Sequence, residues 1–330
     1  LVVIQSIFVG LIVEYMKAIV LKTFGGVENL VHQDIEKPEI NENQVLIQVR
    51  AISINPVDVK VRNRKAPLAE DLAHCNPLIL GWDISGEVVE VGNNVTRFRL
   101  GDEVFGMINF VGHGMAYAEY VVASAEHLAL KPQNISHIEA AASAMAALTA
   151  WQAFDRYGKL RSTDKVLIHA ASGGVGHFAV QIAKHVGAYV IATSSASNRD
   201  FVLKLGVDEH VDYQDVNFEQ ALKNIDFVLE SVGGENFQKS VRVLKPFGTI
   251  VGLNSGHTND DEISAKAKHL HACYFMAVYS NSSDIQYIAS LLESGVLKPH
   301  ISHVFSFDEM AKAHLQIETG RTVGKVVVTL

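Results

Sequence analysis

The segment Ala171-Ser172-Gly173-Gly174-Val175-Gly176 carries the clearest chemistry in this chain. It follows the apolar run Lys165-Val166-Leu167-Ile168-His169-Ala170, which reads as a strand covered on both faces. It opens a stretch in which Val175, Phe178, Ala179, Ile182, Ala183 and Val186 recur at helical spacing, and Gly187 ends that stretch. A glycine-rich turn from strand to helix is the fingerprint of a dinucleotide phosphate site. Gly173 and Gly174 let the backbone approach a pyrophosphate, and Gly176 lets the helix pack closely on the strand. The helix N-terminus, with Ser172 and Val175 beside it, offers N–H groups and positive dipole to the anion. Ala171 stands where the pattern G-x-G-x-x-G has its first glycine. The competing reading is a turn with a purely structural task.

The following strand ends in Thr193-Ser194-Ser195-Ala196-Ser197-Asn198-Arg199, with no carboxylate before Asp200. Sites for an unphosphorylated ribose place Asp or Glu at this point. Hydroxyls, an amide and a cation suit a ribose 2′-phosphate instead, where an Asp would repel it. Ser194, Ser195 and Asn198 are therefore candidate ligands, Tyr213 closes the adenosine side, and the expected cofactor is NADP(H). The same stretch also suits a helix cap, and both readings hold together. Ser231-Val232-Gly233 and Leu253-Asn254 fall just past the fourth and fifth strands, where parallel sheets bind ligands.

The elements that must position these residues change character along the chain. With 330 residues and about 100–200 per domain, two domains are expected. Residues 16–135 are β-rich, with short β-branched runs between Gly, Asn and Asp turns. In 136–275 an alanine-rich helix, Ile138 to Phe154, leads into alternating strands and helices, the pattern of a doubly wound parallel sheet. Residues 276–330 return to a helix ended by Gly295 and a final strand, Val323 to Leu330. The expected fold class is α/β, a doubly wound sheet inserted in a β-rich domain. Residues 1–15 form an apolar extension that is too short to span a bilayer, which takes about 20 residues, and that lacks a basic leader.

Composition removes several function classes. Lys plus Arg is 28 against 36 Asp plus Glu, a formal charge of −8 that argues against a sequence-independent nucleic-acid binder. Two cysteines, Cys75 and Cys273, supply neither a disulfide framework nor a four-cysteine zinc site, and free intracellular thiols are the simplest reading.

The ordered set of local motifs resembles the medium-chain dehydrogenase/reductase superfamily, in its zinc-free quinone oxidoreductase-like (zeta-crystallin-like) branch. The matching segments are Met16 to Gly25, Asn55-Pro56-Val57-Asp58, Gly101-Asp102-Glu103-Val104, Ala118-Glu119-Tyr120, the A-x-G-G-V-G loop, Leu148-Thr149-Ala150-Trp151 and Gly324-Lys325. The resemblance covers about 16–330. It implies a GroES-like catalytic domain (16–135 and 276–330) split around a Rossmann domain (136–275), with the cofactor between them. It brings Thr149 and Lys325 to the cofactor side. It also implies a homodimer joined through a last strand at 271–278. Ala144-Met145 stand where relatives often carry a proline.

Zinc-dependent relatives carry Gly-His-Glu where this chain reads Gly81-Trp82-Asp83, and none of its 15 histidines falls in a metal-binding spacing near the site. No metal is expected. Without a Lewis acid to stabilise an alkoxide, hydride delivery suits acceptors with their own electron sink, such as quinones and α,β-unsaturated carbonyls.

Asn55 leads the catalytic candidates. Pro56 biases it to an extended backbone, so that its amide reaches the nicotinamide ribose or a substrate oxygen, or else caps a helix. Asp58 is a candidate acid or a first-turn residue favoured by the helix dipole. Lys60 offers charge to a developing enolate or stays solvated. Tyr117 donates to a carbonyl oxygen or packs in the core. Phe275 and Met276 pass near the nicotinamide or pack. The expected protein is a cytoplasmic, NADPH-dependent reductase of a small quinone or enone, with no nucleic-acid partner and no membrane span. A zinc alcohol dehydrogenase and a catalytically silent NADPH sensor are the alternatives.

Overall fold

The computed structural model describes residues 14–254 and 257–330. The extension at 1–15 thus lies outside the described residues as far as 13, and the first strand begins at Tyr15 rather than Met16. The strands are β1 (Tyr15–Leu21), β2 (Leu30–Glu36), β3 (Gln44–Ile54), β4 (Asp83–Val91), β5 (Glu103–Met107), β6 (Tyr120–Ser124), β7 (Ala129–Leu130), β8 (Lys165–Ile168), β9 (Tyr189–Ser194), β10 (Glu209–Asp212), β11 (Ile225–Glu230), β12 (Leu244–Gly252), β13 (His271–Cys273), β14 (Ile301–Ser306) and β15 (Lys325–Thr329).

Two large sheets organise the molecule. The first is a six-stranded sheet in the order β10-β9-β8-β11-β12-β13, parallel throughout. The strand order reverses between β8 and β11, the position where doubly wound sheets open a crevice for ligands. The second runs β14-β15-β3-β4-β5-β7, with β6 also on β3. Strands from both ends of the chain build the second sheet, so the parallel sheet is an insertion within it.

The unbroken apolar strands of the parallel sheet have a simple cause. Val166, Ile168, Val190, Ala192, Phe227, Leu229 and Val251 point into one buried cluster. Leu167, Ile191, Val228 and Ile250 point into the other. Successive side chains alternate faces, and both faces are covered, so the middles of β8, β9 and β11 are apolar and their buried polar residues, Thr193, Ser194 and Glu230, stand at the C-terminal ends. The helix Gly176–Val186 buries Phe178, Ala179, Ile182 and Ala183 on the first cluster, and Gly187, at φ +95°, ends it.

Two expected elements differ. The alanine-rich helix is broken into His137–Ala142 and Ala144–Gln152. Ser143 sits at the break and turns its hydroxyl back to the Glu139 carbonyl at 2.8 Å. The Met145 N–H leaves the helical pattern for the Asp83 carboxylate, 2.9 Å away. A proline at 145 would remove that donor. The last strand is three residues rather than the expected run 271–278, because its partner β12 stops at Gly252. Beyond it Phe275 is exposed and Met276 turns into the core.

Gly176 is the tightest glycine of the phosphate loop: a Cβ there would stand 2.7 Å from the Ala171 Cα and closer still to the Ala170 carbonyl. Gly176→Ala forces strand and helix apart, and urea unfolding should show a loss of about 1–3 kcal/mol. An unchanged midpoint would mean that the loop yields freely.

Candidate functional site

The phosphate loop lies at the C-terminal end of β8. Its one left-handed residue is Ala170, at φ +48°, so the glycine missing at position 171 is not needed there. Ala170 N–H donates to Thr193 Oγ1 at 3.3 Å and Ala171 N–H to the Thr193 carbonyl at 3.0 Å. Gly174 has space: an added Cβ would touch only Lys325 Cδ at 3.4 Å and the Gly324 carbonyl at 3.5 Å. A Cβ would fill this cradle, as expected of a loop that accepts a phosphate against its backbone.

Around the loop the expected cofactor residues assemble on one side. Asn198 Nδ2 donates to Ser172 Oγ at 3.1 Å, which joins the end of β9 to the loop. Ser195 and Ser197 share a hydrogen bond at 2.9 Å, and Arg199 is exposed beside them. Ser194 is buried, with its hydroxyl 2.8 Å from His210 Nε2, so it faces the sheet rather than a ligand. A groove of about 750 Å³ continues from the loop, lined by Ala170, Thr193, Tyr213 and Val232 among others. Ser231 donates to the His169 carbonyl at 2.9 Å and Leu253 N–H to the Glu230 carbonyl at 2.8 Å, fixing the two loops beyond β11 and β12. Val175 lies half-buried where the helix begins. Thr149 spends its proton on the Met145 carbonyl, 2.7 Å away in its own helix. Met276 is a core residue and Phe275 an exposed one.

The catalytic lobe meets the loop through a buried charged cluster. In the sheet register Ser53 lies opposite Asp83 and Ile54 opposite Val326, so Asn55, Asp83 and Lys325 converge. Asn55 is extended, at φ −123°, before Pro56 and the helix Pro56–Arg62. Its Nδ2 donates to Asp83 Oδ2 at 2.8 Å and to the Ser53 carbonyl at 3.3 Å, and its Oδ1 accepts from Lys325 Nζ. Lys325 Nζ is also 4.0 Å from Asp83 Oδ2. Burial lowers the Lys325 pKa, with both aspartates opposing, and raises Asp83 to about 6. Next to Lys325, Gly324 N–H donates to the Ser172 carbonyl at 2.8 Å, which fastens the two lobes. Lys60 is exposed on the same helix, and its ammonium reaches Asn254 Oδ1 of the other lobe at 3.1 Å.

Two catalytic candidates are corrected. Tyr117 is fully buried, and its hydroxyl lies 2.9 Å from both Asp58 Oδ1 and His314 Nε2, so it is a core residue with no face toward a substrate. Asp58 is equally buried, and its second oxygen accepts the Asn55 N–H at 2.7 Å. It is a structural acid that closes the start of the helix. Asn55 is also engaged at both ends of its amide, which makes its role one of connection within the cluster. Sequence reasoning missed Asp83 as a site residue, together with His169 and Glu230. A carboxylate ending the apolar run Phe227-Val228-Leu229-Glu230 was the available signal for the last.

The residues at the metal position of zinc-dependent relatives are engaged in other contacts here. Trp82 is buried and donates its indole N–H to the Gly112 carbonyl at 2.8 Å. Both Asp83 oxygens are committed, and an ammonium already stands beside them. This donor set does not fit a zinc ion. Among the described residues no three His, Cys, Asp or Glu side chains group as a metal site.

Burial pushes Asp58 from 3.8 to about 7, against hydrogen bonds from Asn55 and Tyr117 that favour its charged form. A folded pKa above the unfolded one gives stability that is complete below the unfolded value of 3.8 and is lost as pH rises through about 7. Asp83 acts with the same sign. Wild-type stability should therefore fall from about pH 4 to about pH 7, and Asp58→Asn, which cannot ionise, should flatten that slope. Urea midpoints across the range check this, and parallel slopes in the two proteins would show that Asp58 does not titrate there.

Comparison with known proteins agrees with this geometry. Residues 41–133 match the model of the alcohol dehydrogenase GroES-like domain, and residues 205–328 match a model described as zinc-binding dehydrogenase. A 2-methylene-furan-3-one reductase of Solanum lycopersicum is 35% identical over 95% of this chain and 79% of its own length. A chloroplastic NADPH-dependent alkenal/one oxidoreductase of Arabidopsis thaliana is 33% identical over the same shares, 95% and 79%. The structure of a quinone oxidoreductase from Coxiella burnetii superposes with a TM-score of 0.90 at 37% identity, covering 96% of this chain and 100% of that one. The doubly wound sheet, the GroES-like lobe and these relatives together show that the chain belongs to the medium-chain dehydrogenase/reductase superfamily, in its zinc-free quinone oxidoreductase-like branch.

Proposed function

We propose that this protein is an NADPH-dependent, zinc-free oxidoreductase that reduces quinones or the activated C=C bond of α,β-unsaturated carbonyls. The observation that carries the reading is the buried Lys325–Asn55–Asp83 cluster at the position where zinc-dependent relatives hold a metal. An acceptor reduced here must delocalise the incoming charge within itself, which quinones and enones do. The relatives named as furanone and alkenal/one reductases and as a quinone oxidoreductase support the same class.

Bound NADPH supplies the hydride. The chain's own residues position and shield the reactants. Gly173, Gly174 and Gly176 leave the backbone open to the pyrophosphate, with Ser172 and Val175 at the helix start. Ser195, Asn198 and Arg199 face the 2′-phosphate, and Tyr213 and Val232 flank the adenosine. Lys325 and Asn55 hold the seam between the lobes, and Lys60 brings an exposed ammonium over the cleft toward the oxygen of the acceptor. A homodimer and a cytoplasmic location belong to the same proposal. Among the described residues no helix is long and apolar enough to cross a membrane.

NADPH oxidation at 340 nm after chelator dialysis tests the reading, with 1,4-benzoquinone, 9,10-phenanthrenequinone, acrolein, 2-hexenal and 3-penten-2-one as acceptors and NADH in parallel. Turnover is expected to survive chelation and to prefer NADPH. Arg199→Ala should raise the KM for NADPH by about tenfold, the loss of one charge-assisted contact, and leave that for NADH unchanged. Turnover that zinc alone restores would overturn the reading, and equal effects of Arg199→Ala on both cofactors would overturn the phosphate assignment.

A further inference from the structure

Glu230, at the end of β11, is 1% exposed and accepts four hydrogen bonds. Oε1 takes the backbone N–H groups of Val232 at 2.7 Å and Gly233 at 2.9 Å. Oε2 takes Asn236 Nδ2 at 2.7 Å and Ser240 Oγ at 2.8 Å. A carboxylate only accepts, so the Ser240 proton is fixed on Glu230. Ser240 oxygen, 3.0 Å from His169 Nε2, must then receive that N–H. This leaves His169 Nδ1 bare, to accept from Thr193 Oγ1 at 3.0 Å. Thr193 Oγ1 in turn accepts the N–H of Ala170, the left-handed residue that starts the phosphate loop. Ser231 closes the circuit on the His169 carbonyl at 2.9 Å.

We propose that Glu230 is a positioning residue for the adenosine half of the cofactor. One directional hydrogen-bonded chain, Glu230–Ser240–His169–Thr193, sets both walls of the groove that runs on from the phosphate loop. One end shapes the Ser231–Gly234 loop through two backbone N–H groups. The other end holds Ala170 in its strained conformation. His169, Thr193, Val232 and Asn236 all line the groove. The chain does not reach the Asn55–Asp83–Lys325 cluster, so it acts on cofactor affinity and not on the reacting centre. The polarity requires an acceptor-only group at 230. A glutamine would place an NH₂ against Ser240 and Asn236 and turn the Ser240 and His169 protons around.

This inference rests on the nucleotide-binding reading, and its test separates the two. Calorimetry with NADPH and with adenosine 2′,5′-bisphosphate would be run on wild type, Glu230→Gln and Thr193→Val. Turnover would be measured with NADPH and with reduced nicotinamide mononucleotide, which lacks the adenosine half. We expect both Kd values to rise together by about tenfold or more, with kcat at saturating NADPH and turnover of the mononucleotide unchanged. Nitrogen-15 spectra should place the His169 proton on Nε2 in wild type and on Nδ1 in Glu230→Gln. Thr193→Val is nearly isosteric and tests the same chain should Glu230→Gln fail to fold. Unaltered Kd values in a folded variant, or an equal loss with the mononucleotide, would overturn the proposal. A wild-type protein that binds neither NADPH nor the bisphosphate would overturn the nucleotide reading itself, and the inference with it.

Discussion

The ends of β3, β4 and β15 share one antiparallel register, and a single buried ammonium at that point holds the site together. Lys325 is 3% exposed and Asp83 and Asp58 are fully buried. Removing such groups from water costs several kcal/mol per ion, so the arrangement survives only because each finds partners. Asn55 supplies them from both ends of one amide, to Asp83 and to Lys325. Deleting a single member would leave a buried charge without compensation, which is more damaging than replacing the whole cluster by apolar groups.

The same cluster shapes structure some distance away. Asp83 takes the Met145 N–H and so stops the alanine-rich helix from running through Ser143. The second half of that helix then packs against the helix that follows the phosphate loop. Lys325 and Gly324 press on the loop directly, through Gly174 and the Ser172 carbonyl. The start of β15 is thus packed against the glycine loop of the other lobe. On its other side the cluster meets Asp58, whose contact with Tyr117, and through that hydroxyl with His314, continues the polar network into the core. Burial pushes His314 down to about 3, so it is neutral, and its Nδ1 has no partner among the described residues.

What the sequence revealed depended on how local each signal was. The glycine loop, the alternating strands and helices and the Ser-Asn-Arg turn are set by neighbours within a few residues, and periodicity reports them. The two-sided burial of Leu167 between Val166 and Ile168 was legible as an unbroken apolar strand. The Asn55 contacts span 28 residues to Asp83 and 270 to Lys325, and only the sheet register creates them. Tyr117 failed for a related reason. An aromatic beside a β-rich segment carries no mark of which side it faces, and here the inward side holds Asp58. The run at 271–278 looked like a strand because it is apolar, yet pairing also needs a neighbour, and β12 ends too soon to provide one.

The charge balance of the cluster bears on the chemistry. One ammonium faces two carboxylates, and one of these, Asp58, is held near neutrality by burial. No surplus positive charge is left over to polarise a carbonyl, as a divalent metal would. The cluster therefore contributes rigidity and exclusion of water, and electrophilic help has to come from groups that keep a solvated or mobile charge. Lys60 is such a group. It stands on the helix that Asn55 and Asp58 begin, and its ammonium is already directed across the cleft to Asn254. A carbonyl oxygen entering between the lobes would compete with the Asn254 amide for that ammonium, exchanging one neutral acceptor for one that grows more negative as the acceptor is reduced. On the proposed reading that contact would strengthen toward the transition state, which is the condition for an interaction to raise kcat rather than only lower KM.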